Sequence, residues 1–344
     1  MIHVNSEEHC VENNRSLLNF SSTVWYGGDN QLLTEHLIQL LPESIQHYPE
    51  PDGATLRKMI ARRHELSEQN IVITNGPTSA FYLIAQAFAG KKVLIPVPSF
   101  SDYEDAMRRY NFDIRLVSNL TPIEEWPLDE VDFCFLCTPN NPDGRIMSHS
   151  ELIRLVSKHP NVNFIIDQAY ANYTTTNLLK PGASKQYSNI ITVWSFSHTY
   201  SIPGLRIGYI VANKSITEEL SKYIIPWSVN TLAIEAAKYI LIHPAQFTLP
   251  IRKWQRATQE LISKLRAFDD LEVIPSETTF FLVRLKTGTA AQLRDYLLTN
   301  HNILVRDASN FHGLNESYIR ITARDEETNN ILVKAIEQWI AESK

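Results

Sequence analysis

Short apolar segments recur through the middle of the chain, and longer amphipathic segments lie between them. Seven of the apolar segments have the length of strands and little polar alternation, as expected for strands that are covered on both faces. They span residues 70–74, 92–96, 113–117, 132–137, 163–167, 190–194 and 207–211. Helix-length segments separate several of them, at 77–89, 101–110 and 148–157. This alternation predicts an α/β protein with a mostly parallel, seven-stranded sheet.

The pattern changes after about Pro226. The remaining elements are predicted as helices over 30–41, 230–241, 245–267, 288–299 and 325–342, and as strands over 272–274, 280–285 and 318–322. We therefore predict a large domain over residues 47–229 and a small α+β domain over residues 230–344. The N-terminal arm and helix, residues 1–46, are expected to belong to the small domain.

Charge and composition exclude some partners. The 344 residues carry 32 Lys and Arg against 38 Asp and Glu, so the basic surface of a nucleic-acid-binding protein is not expected. The longest apolar runs are too short to span a bilayer, and the N-terminal segment lacks the features of a secretion signal. Cys134 and Cys137 lie in a strand-type run and are interpreted as buried structural thiols. We expect a cytoplasmic protein with no membrane partner.

Polar residues at the carboxyl ends of the predicted strands are the candidates for chemistry, because ligands of open α/β sheets bind there. After the first strand, the turn at residues 75–80 opens a helix. Its free N–H groups and the hydroxyls of Thr78 and Ser79 favour a phosphate. A hydroxyl at such a position is also an ordinary helix N-cap. The turn alone therefore leaves phosphate binding and simple capping open.

Three further strand ends carry polar side chains. A rigid turn after the fourth strand could direct the amides of Asn140 and Asn141 into a cleft, or could be an ordinary turn. Asp167 ends the fifth strand and is followed by Tyr170; this acid needs a partner such as a protonated ring nitrogen, unless it caps the next turn. The sixth strand leads into a polar segment at residues 195–209.

Several segments resemble one family in order and spacing. They are HYPEPDGATLR (47–57), VLIPVPSFSDY (93–103), CTPNNPDGR (137–145), IIDQAY (165–170), SFSHTYSIPGLRIGY (195–209) and YIRIT (318–322). Together they resemble the fold-type I enzymes that use pyridoxal 5'-phosphate (PLP), the aspartate aminotransferase superfamily. Within it, the chain looks most like L-threonine-O-3-phosphate decarboxylases and histidinol-phosphate aminotransferases. PWSVN (226–230) and NILVRDASNFHGL (302–314) favour the decarboxylases.

The resemblance implies contacts to the PLP ring. Asp167 would keep the ring nitrogen protonated, which makes the ring an electron sink. Asn141 and Tyr170 would hydrogen-bond the 3-oxygen of the ring, and Phe100 would stack on its face.

The resemblance also implies contacts to phosphate and substrate. The side chains expected at the cofactor phosphate are Thr78, Ser79, Ser195, Ser197 and Arg206. Tyr48 of the partner subunit would reach the same phosphate, so a homodimer with shared active sites is expected. Arg320 would bind the substrate carboxylate, and Arg306 is a candidate for the substrate phosphate or carboxylate.

One departure from the family pattern concerns catalysis. His198 stands where the family has the lysine that binds PLP covalently, and the flanking SFS and PGLRIGY segments fix the register. Imidazole cannot form that bond, although it can accept and donate a proton near neutral pH. Lys185 and Lys214 lie outside the motif. His198 and Tyr170 are the predicted catalytic residues.

Three functions remain open on this basis. The first is a PLP enzyme that acts on a phosphorylated amino acid, most like the threonine-phosphate decarboxylase that supplies aminopropanol phosphate for cobalamin synthesis. The second is a histidinol-phosphate aminotransferase-like enzyme. The third is a PLP-binding pseudoenzyme, since His198 replaces the lysine.

Overall fold

The structure is a computed structural model that describes residues 17–342. Its strands and α-helices follow in chain order. They are β1 (Leu18–Asn19), α1 (Gln31–Gln46), α2 (Ala54–Arg63), β2 (Ile71–Thr74), α3 (Gly76–Ala87), β3 (Lys92–Val97), α4 (Ser101–Arg109), β4 (Asp113–Ser118), β5 (Phe133–Cys137), α5 (His149–Lys158), β6 (Asn163–Asp167), β7 (Ile190–Ser195), β8 (Gly208–Ala212), α6 (Lys214–Ser221), α7 (Thr231–Ile242), α8 (Ile251–Leu265), β9 (Leu271–Val273), β10 (Phe280–Leu285), α9 (Ala290–His301), β11 (Ile303–Leu304), β12 (Arg306–Asp307), β13 (Tyr318–Thr322) and α10 (Glu326–Glu342).

Seven strands form one large sheet in the order β2-β8-β7-β6-β5-β3-β4. Strand β8 is antiparallel to both of its neighbours, and the other pairings are parallel. Successive side chains enter two different cores: Phe133 and Phe135 pack with α3 and α4, whereas Cys134 and Leu136 pack with α5. Both faces are therefore covered, which explains the lack of polar alternation. The predicted α/β class and mostly parallel sheet are confirmed.

The predicted small α+β fold is also present. A four-stranded antiparallel sheet has the order β12-β13-β10-β9, and β1 pairs in parallel with β11. Helices α8, α9 and α10 pack apolar side chains on it around Phe281 and Ile321. The buried indole N–H of Trp254, on α8, donates to the Ala323 carbonyl at 2.7 Å. These contacts form a core separate from that of the large sheet.

Two predicted helix boundaries differ from the structure by more than two residues. Helix α1 does not end at Leu41 but passes through Pro42 and ends at Gln46. The helix predicted over 245–267 begins only at Ile251, because Pro250 precedes it and restricts the residue before it; a short 3₁₀ turn occupies Pro244–Phe247.

The chain divides into two compact units. The large unit consists of Val24–Asn141 and Ile146–Leu249, and the small unit consists of residues 17–23, Pro142–Arg145 and residues 250–342. The division differs from the predicted domains, because α1 and α7 belong to the large unit. The physical reason is packing: Leu33 of α1 lies in one apolar cluster with Ala233 of α7. Across the described part of the chain, no helix is long and apolar enough to cross a membrane.

Candidate active site

Asp167 ends β6 as a buried carboxylate with 4% exposure. Its Oδ1 accepts the Ala169 backbone N–H at 2.9 Å, and its Oδ2 accepts the Tyr103 hydroxyl at 2.5 Å. Burial raises the pKa of Asp167 to about 6, and the two hydrogen bonds oppose that rise. A carboxylate held in such surroundings is a suitable partner for a protonated ring nitrogen.

Tyr103 is a residue of the site that the sequence reasoning missed. It lies on α4, is fully buried, and stacks on Phe135 at a ring-centroid distance of 4.1 Å. Its SFSDY segment was recognised, but nothing in that segment indicates that its hydroxyl would meet a carboxylate 64 positions later. Only the strand order, which sets β5 beside β6, brings the two together.

The structure brings the two predicted catalytic residues together beyond the end of β7. The Tyr170 hydroxyl lies 3.4 Å from Nε2 of His198, and their ring centroids are 4.7 Å apart. The His198 carbonyl accepts the Trp25 N–H at 3.1 Å, and the Trp25 carbonyl accepts the Ser201 hydroxyl at 2.6 Å. The backbone at His198 is thus tied to the loop at residues 24–29.

Neither of the two lysines considered from the sequence lies within the motif around His198. Lys185 is exposed in a 3₁₀ turn, Pro181–Lys185. Lys214 begins α6, where its Nζ lies 3.6 Å from Oε1 of Glu218. Both are surface side chains.

The turn between β2 and α3 places a helix N-terminus beside a guanidinium. Gly76 has a φ of +80°, and a Cβ at this position would lie 2.7 Å from Nη2 of Arg206. The positive φ favours glycine, whereas the Arg206 guanidinium could turn aside from an added methyl group. Arg206 is exposed, and its Nη1 donates to the Pro203 carbonyl at 2.8 Å. Free N–H groups and an adjacent guanidinium together favour a phosphate.

Two serines lie at the end of β7: Ser195 is its last residue, and Ser197 follows two positions later. The Ser197 N–H donates to Oγ of Ser195 at 3.0 Å. Among residues 17–342, the buried Oγ of Ser197 has no hydrogen-bond partner. An unsatisfied buried hydroxyl costs about 1–3 kcal/mol, so it is expected where a ligand supplies the missing acceptor.

Thr78 and Ser79 lie in the first turn of α3 but differ in environment. Ser79 is exposed, whereas the Thr78 hydroxyl donates to Oδ2 of Asp102 at 3.1 Å. Burial, above all, raises the pKa of Asp102, and the Thr78 hydrogen bond and, more weakly, Arg206 oppose the rise. In this geometry the Thr78 hydroxyl proton is used in the hydrogen bond to Asp102. The backbone N–H groups of the turn remain as donors for a phosphate.

The other predicted cofactor residues are placed as follows. Phe100 precedes α4 and contacts Tyr103 edge-on at a centroid distance of 5.7 Å. Asn141 is buried in the turn after β5. Tyr48 is 87% exposed, and its ring lies against Trp227 at 5.6 Å. Phe100 and Asn141 thus lie beyond the carboxyl ends of β3 and β5, whereas Tyr48 faces solvent.

Arg306 and Arg320 lie in the small unit, directly opposite each other on β12 and β13. Arg320 is buried, and its Nη2 donates to the Ser21 carbonyl at 2.7 Å. Arg306 donates to Oδ1 of Asn310 at 3.1 Å and lies 5.8 Å from the Phe311 ring centroid. Like charges opposite each other destabilise a sheet, and such a pair is expected where an anion binds.

The mixed seven-stranded sheet and the small antiparallel sheet define the class of fold as fold type I, the fold of the PLP-dependent aminotransferases. The chain belongs to the aminotransferase class I and II family, whose sequence profile matches residues 15–336. Members of this family use pyridoxal 5'-phosphate.

Individual relatives are similar over most of their length. The crystal structure of L-threonine-O-3-phosphate decarboxylase from Porphyromonas gingivalis is 52% identical and has a TM-score of 0.93, covering 94% of this chain and 100% of that chain. Threonine-phosphate decarboxylase from Salmonella typhimurium is 29% identical over 93% of this chain and 90% of its own length. Histidinol-phosphate aminotransferase from Methanocaldococcus jannaschii is 28% identical over 87% and 83%.

Proposed function

We propose that the chain binds PLP and acts on a phosphorylated amino acid, with L-threonine O-3-phosphate decarboxylation as the reaction. The 52% identity to a threonine-phosphate decarboxylase carries the choice of substrate. The site supports the cofactor, because the buried carboxylate of Asp167 suits a cationic ring nitrogen and the unsatisfied Ser197 hydroxyl suits a phosphate oxygen.

The proposed roles of the side chains follow from their chemistry. Asp167 holds a proton on the ring nitrogen, and Asn141 and Tyr170 donate to the ring 3-oxygen. Phe100 covers the ring face, which excludes water from it. The phosphate is bound by Ser195, Ser197, Arg206 and the N-terminal turn of α3, including Thr78 and Ser79.

In the proposed reaction, the bond between Cα and the carboxylate carbon breaks and CO₂ leaves. A proton then replaces it at Cα, which gives aminopropanol phosphate. When bound, PLP supplies the conjugated electron sink that accepts the electron pair released from this bond. Arg306 and Arg320 are the proposed ligands of the substrate phosphate and carboxylate.

His198 and Tyr170 are the proposed proton carriers. Imidazole titrates near neutral pH, so His198 can donate the proton that Cα needs, and the Tyr170 hydroxyl at 3.4 Å orients its Nε2. His198 offers no primary amine, so PLP is held through noncovalent contacts alone. Product release then lacks the help that a lysine gives, and turnover is expected to be slow.

His198 also favours a second candidate, a protein that binds PLP or its adduct with a phosphorylated amine without turnover. Similarity to histidinol-phosphate aminotransferases keeps transamination as a third possibility. All three share the cofactor contacts. They differ in what leaves Cα: CO₂ in decarboxylation, a proton in transamination, and nothing in simple binding.

A product assay separates the three. The protein with PLP is incubated with L-threonine O-3-phosphate, and in parallel with histidinol phosphate and 2-oxoglutarate. Release of CO₂ with aminopropanol phosphate supports the decarboxylase, and formation of glutamate supports the aminotransferase. PLP binding with neither product under single-turnover conditions supports the binding protein and contradicts our substrate assignment.

We also propose a homodimer in which Tyr48 of the partner subunit contributes to each site. The support is its position: Tyr48 is 87% exposed and is held against Trp227, so the ring is available to a neighbouring molecule. A second copy of the chain would bury both rings.

A further inference from the structure

Tyr103, on α4, is held in place by aromatic contacts on several sides. Its ring stacks on Phe135 at 4.1 Å and meets Phe81 and Phe100 edge-on at 4.9 Å and 5.7 Å. The ring is fully buried, so these contacts leave it little freedom. Its hydroxyl therefore has one direction, towards Oδ2 of Asp167 at 2.5 Å.

The carboxylate of Asp167 receives one donor on each oxygen. The Ala169 N–H binds Oδ1 from the chain after β6, and the Tyr103 hydroxyl binds Oδ2 from α4. Two donors from different elements fix the plane of the carboxylate as well as its position. Each oxygen keeps a further lone pair that a ligand can use.

Among the side chains around Asp167, the Tyr103 hydroxyl is its main polar partner. Cys137 pairs with Asp167 across β5 and β6, and its thiol interacts with the Tyr103 hydroxyl. Burial, with Asp167 and Cys137, raises the pKa of Tyr103 well above its usual value, so this hydroxyl keeps its proton. Within residues 17–342, no cationic side chain contributes to the pKa of Asp167.

We propose that Tyr103 is a positioning residue that orients Asp167 and keeps it ionised, so that the protein offers a carboxylate to the cofactor ring nitrogen. The inference rests on the proposed binding of PLP. Hydrogen bonding to a charged form stabilises that form, and the Tyr103 hydroxyl does this where burial works against ionisation.

Tyr103→Phe tests this, because it removes the hydroxyl and keeps the packed ring. The matched control is Tyr209→Phe, which removes another buried hydroxyl, 3.5 Å from Nε2 of His64. The carboxyl carbons of the aspartates are labelled with ¹³C in the cofactor-free protein, and the Asp167 signal is identified by its loss in Asp167→Asn. In Tyr103→Phe we expect the pKa of Asp167 to rise by about 1–2, and in Tyr209→Phe to stay unchanged.

The pH dependence of PLP affinity gives a second measurement. If the pKa of Asp167 rises by about 1.5, PLP binds Tyr103→Phe about fourfold more weakly at pH 7, and the difference vanishes near pH 9. A fold defect would weaken binding at every pH. Should the unchanged protein fail to bind PLP, the proposed function fails, while the titration of Asp167 still tests Tyr103.

A third variant covers the case in which Tyr103→Phe does not fold. 3-Fluorotyrosine introduced at position 103 has a more acidic hydroxyl, which donates more strongly and should lower the pKa of Asp167. An Asp167 titration that is the same in all Tyr103 variants, or that shifts equally in Tyr209→Phe, overturns the proposal.

Discussion

Asp167 lowers the stability of the cofactor-free protein, and the effect depends on pH. Its pKa in the folded chain, about 6, is above the ordinary value of 3.8. Between these values the folded protein keeps a proton that the unfolded chain has lost, so stability falls as pH rises through this window and stays reduced above it. The site thus holds a destabilising charge that a cationic ligand would compensate.

Asp167→Asn should therefore stabilise the cofactor-free protein at pH 7 by about 1–3 kcal/mol. The gain should shrink towards pH 4, where Asp167 is neutral in the folded protein, and the variant should bind PLP more weakly. Urea unfolding at several pH values measures the first effect and fluorescence titration the second. Asp113→Asn, at an exposed strand start, is the control and should change stability by less than about 0.5 kcal/mol. A loss of stability at pH 7 in Asp167→Asn would contradict the prediction.

Arg206 is expected to determine PLP affinity through the phosphate. Arg206→Ala removes a charge-assisted, bidentate contact and should weaken binding by roughly 2–4 kcal/mol. Arg206→Lys should recover only part of it, because an ammonium cannot form the bidentate contact. The control Arg109→Ala removes an exposed charge on α4 and should leave affinity unchanged. Equal affinities of Arg206→Ala and the unchanged protein would exclude this residue from the phosphate site.

His198→Lys should create a covalent site for PLP. Borohydride should leave no pyridoxyl label on the unchanged protein, because position 198 has no amine, and should label the variant at this residue. Mass spectrometry of peptides locates the label, and the product assay then shows whether activity rises. His198→Gln is the control without an amine. A label on the unchanged protein would mean that another lysine has taken over the role.

The place of Asp167 at the end of β6 and that of Arg206 beside the start of α3 could be expected from the sequence, because their motif neighbours fix their register. Contacts between distant motifs could not. The pairing of Thr78 with Asp102 joins two helices, and the pairing of Tyr103 with Asp167 joins α4 to β6. Neither follows from periodicity, because each depends on how the helices lie on the sheet.

At the scale of elements, the approach of β8 to α3 determines the shape of the phosphate-binding turn. A Cβ on Gly208 would lie 2.6 Å from the Trp194 carbonyl oxygen and 3.1 Å from backbone atoms of Gly76 and Pro77. These are backbone atoms that cannot turn aside as a flexible side chain could. Glycine at this position therefore lets β8 and the start of α3 come close together.

Gly208→Ala should force β8 away from its neighbours and destabilise the protein by more than about 2 kcal/mol. Because the substitution should also displace the start of α3, we expect the variant protein to bind PLP more weakly. Thermal unfolding and PLP titration measure the two effects. Gly182→Ala, where a Cβ would meet nothing within 4 Å, is the matched control and should behave like the unchanged protein. Normal stability of Gly208→Ala would show that the sheet can relax around the added methyl group.

The helices and strands were predicted where burial produces a clear pattern. The seven strands of the large sheet were found within one or two residues because apolar side chains occupy both faces. Helices α2 and α6 were not predicted. Only three residues of α2 are buried, Leu56, Ile60 and Ala61, and four of its ten residues are Arg or Lys. Its short apolar stripe is too weak a signal without the sheet on which it packs.

At the scale of the whole molecule, apolar side chains are exposed on one stretch of the large unit. Ile38 and Ile45 of α1 are 61% and 74% exposed, and Tyr48 follows them. Their spacing puts the two isoleucines on one face of the helix. Such a face is typical of a surface that another protein covers.

We expect a homodimer by sedimentation equilibrium at micromolar concentration, and Ile45→Glu should shift it towards monomer. The reason is that the Glu carboxylate would be buried in an apolar dimer contact without a cationic partner, which destabilises the contact. Leu120→Glu is the matched control, because Leu120 is equally exposed, at 74%, outside this stretch. A monomer with PLP bound in the unchanged protein would rule out the shared sites.

The position of β8 within the sheet has a consequence for biosynthesis. Ile71 of β2 pairs with Val211 of β8, and Leu18 of β1 pairs with Ile303 of β11. At about 5–20 residues per second, the ribosome needs roughly 7–27 s to deliver β8 after β2. During that time β2 lacks the partner that it has in the finished protein, and the turn leading to α3 lacks Arg206. The part of the phosphate site that is translated first is thus completed only when the sheet is nearly finished, so nascent chains should depend on chaperones rather than on PLP for protection.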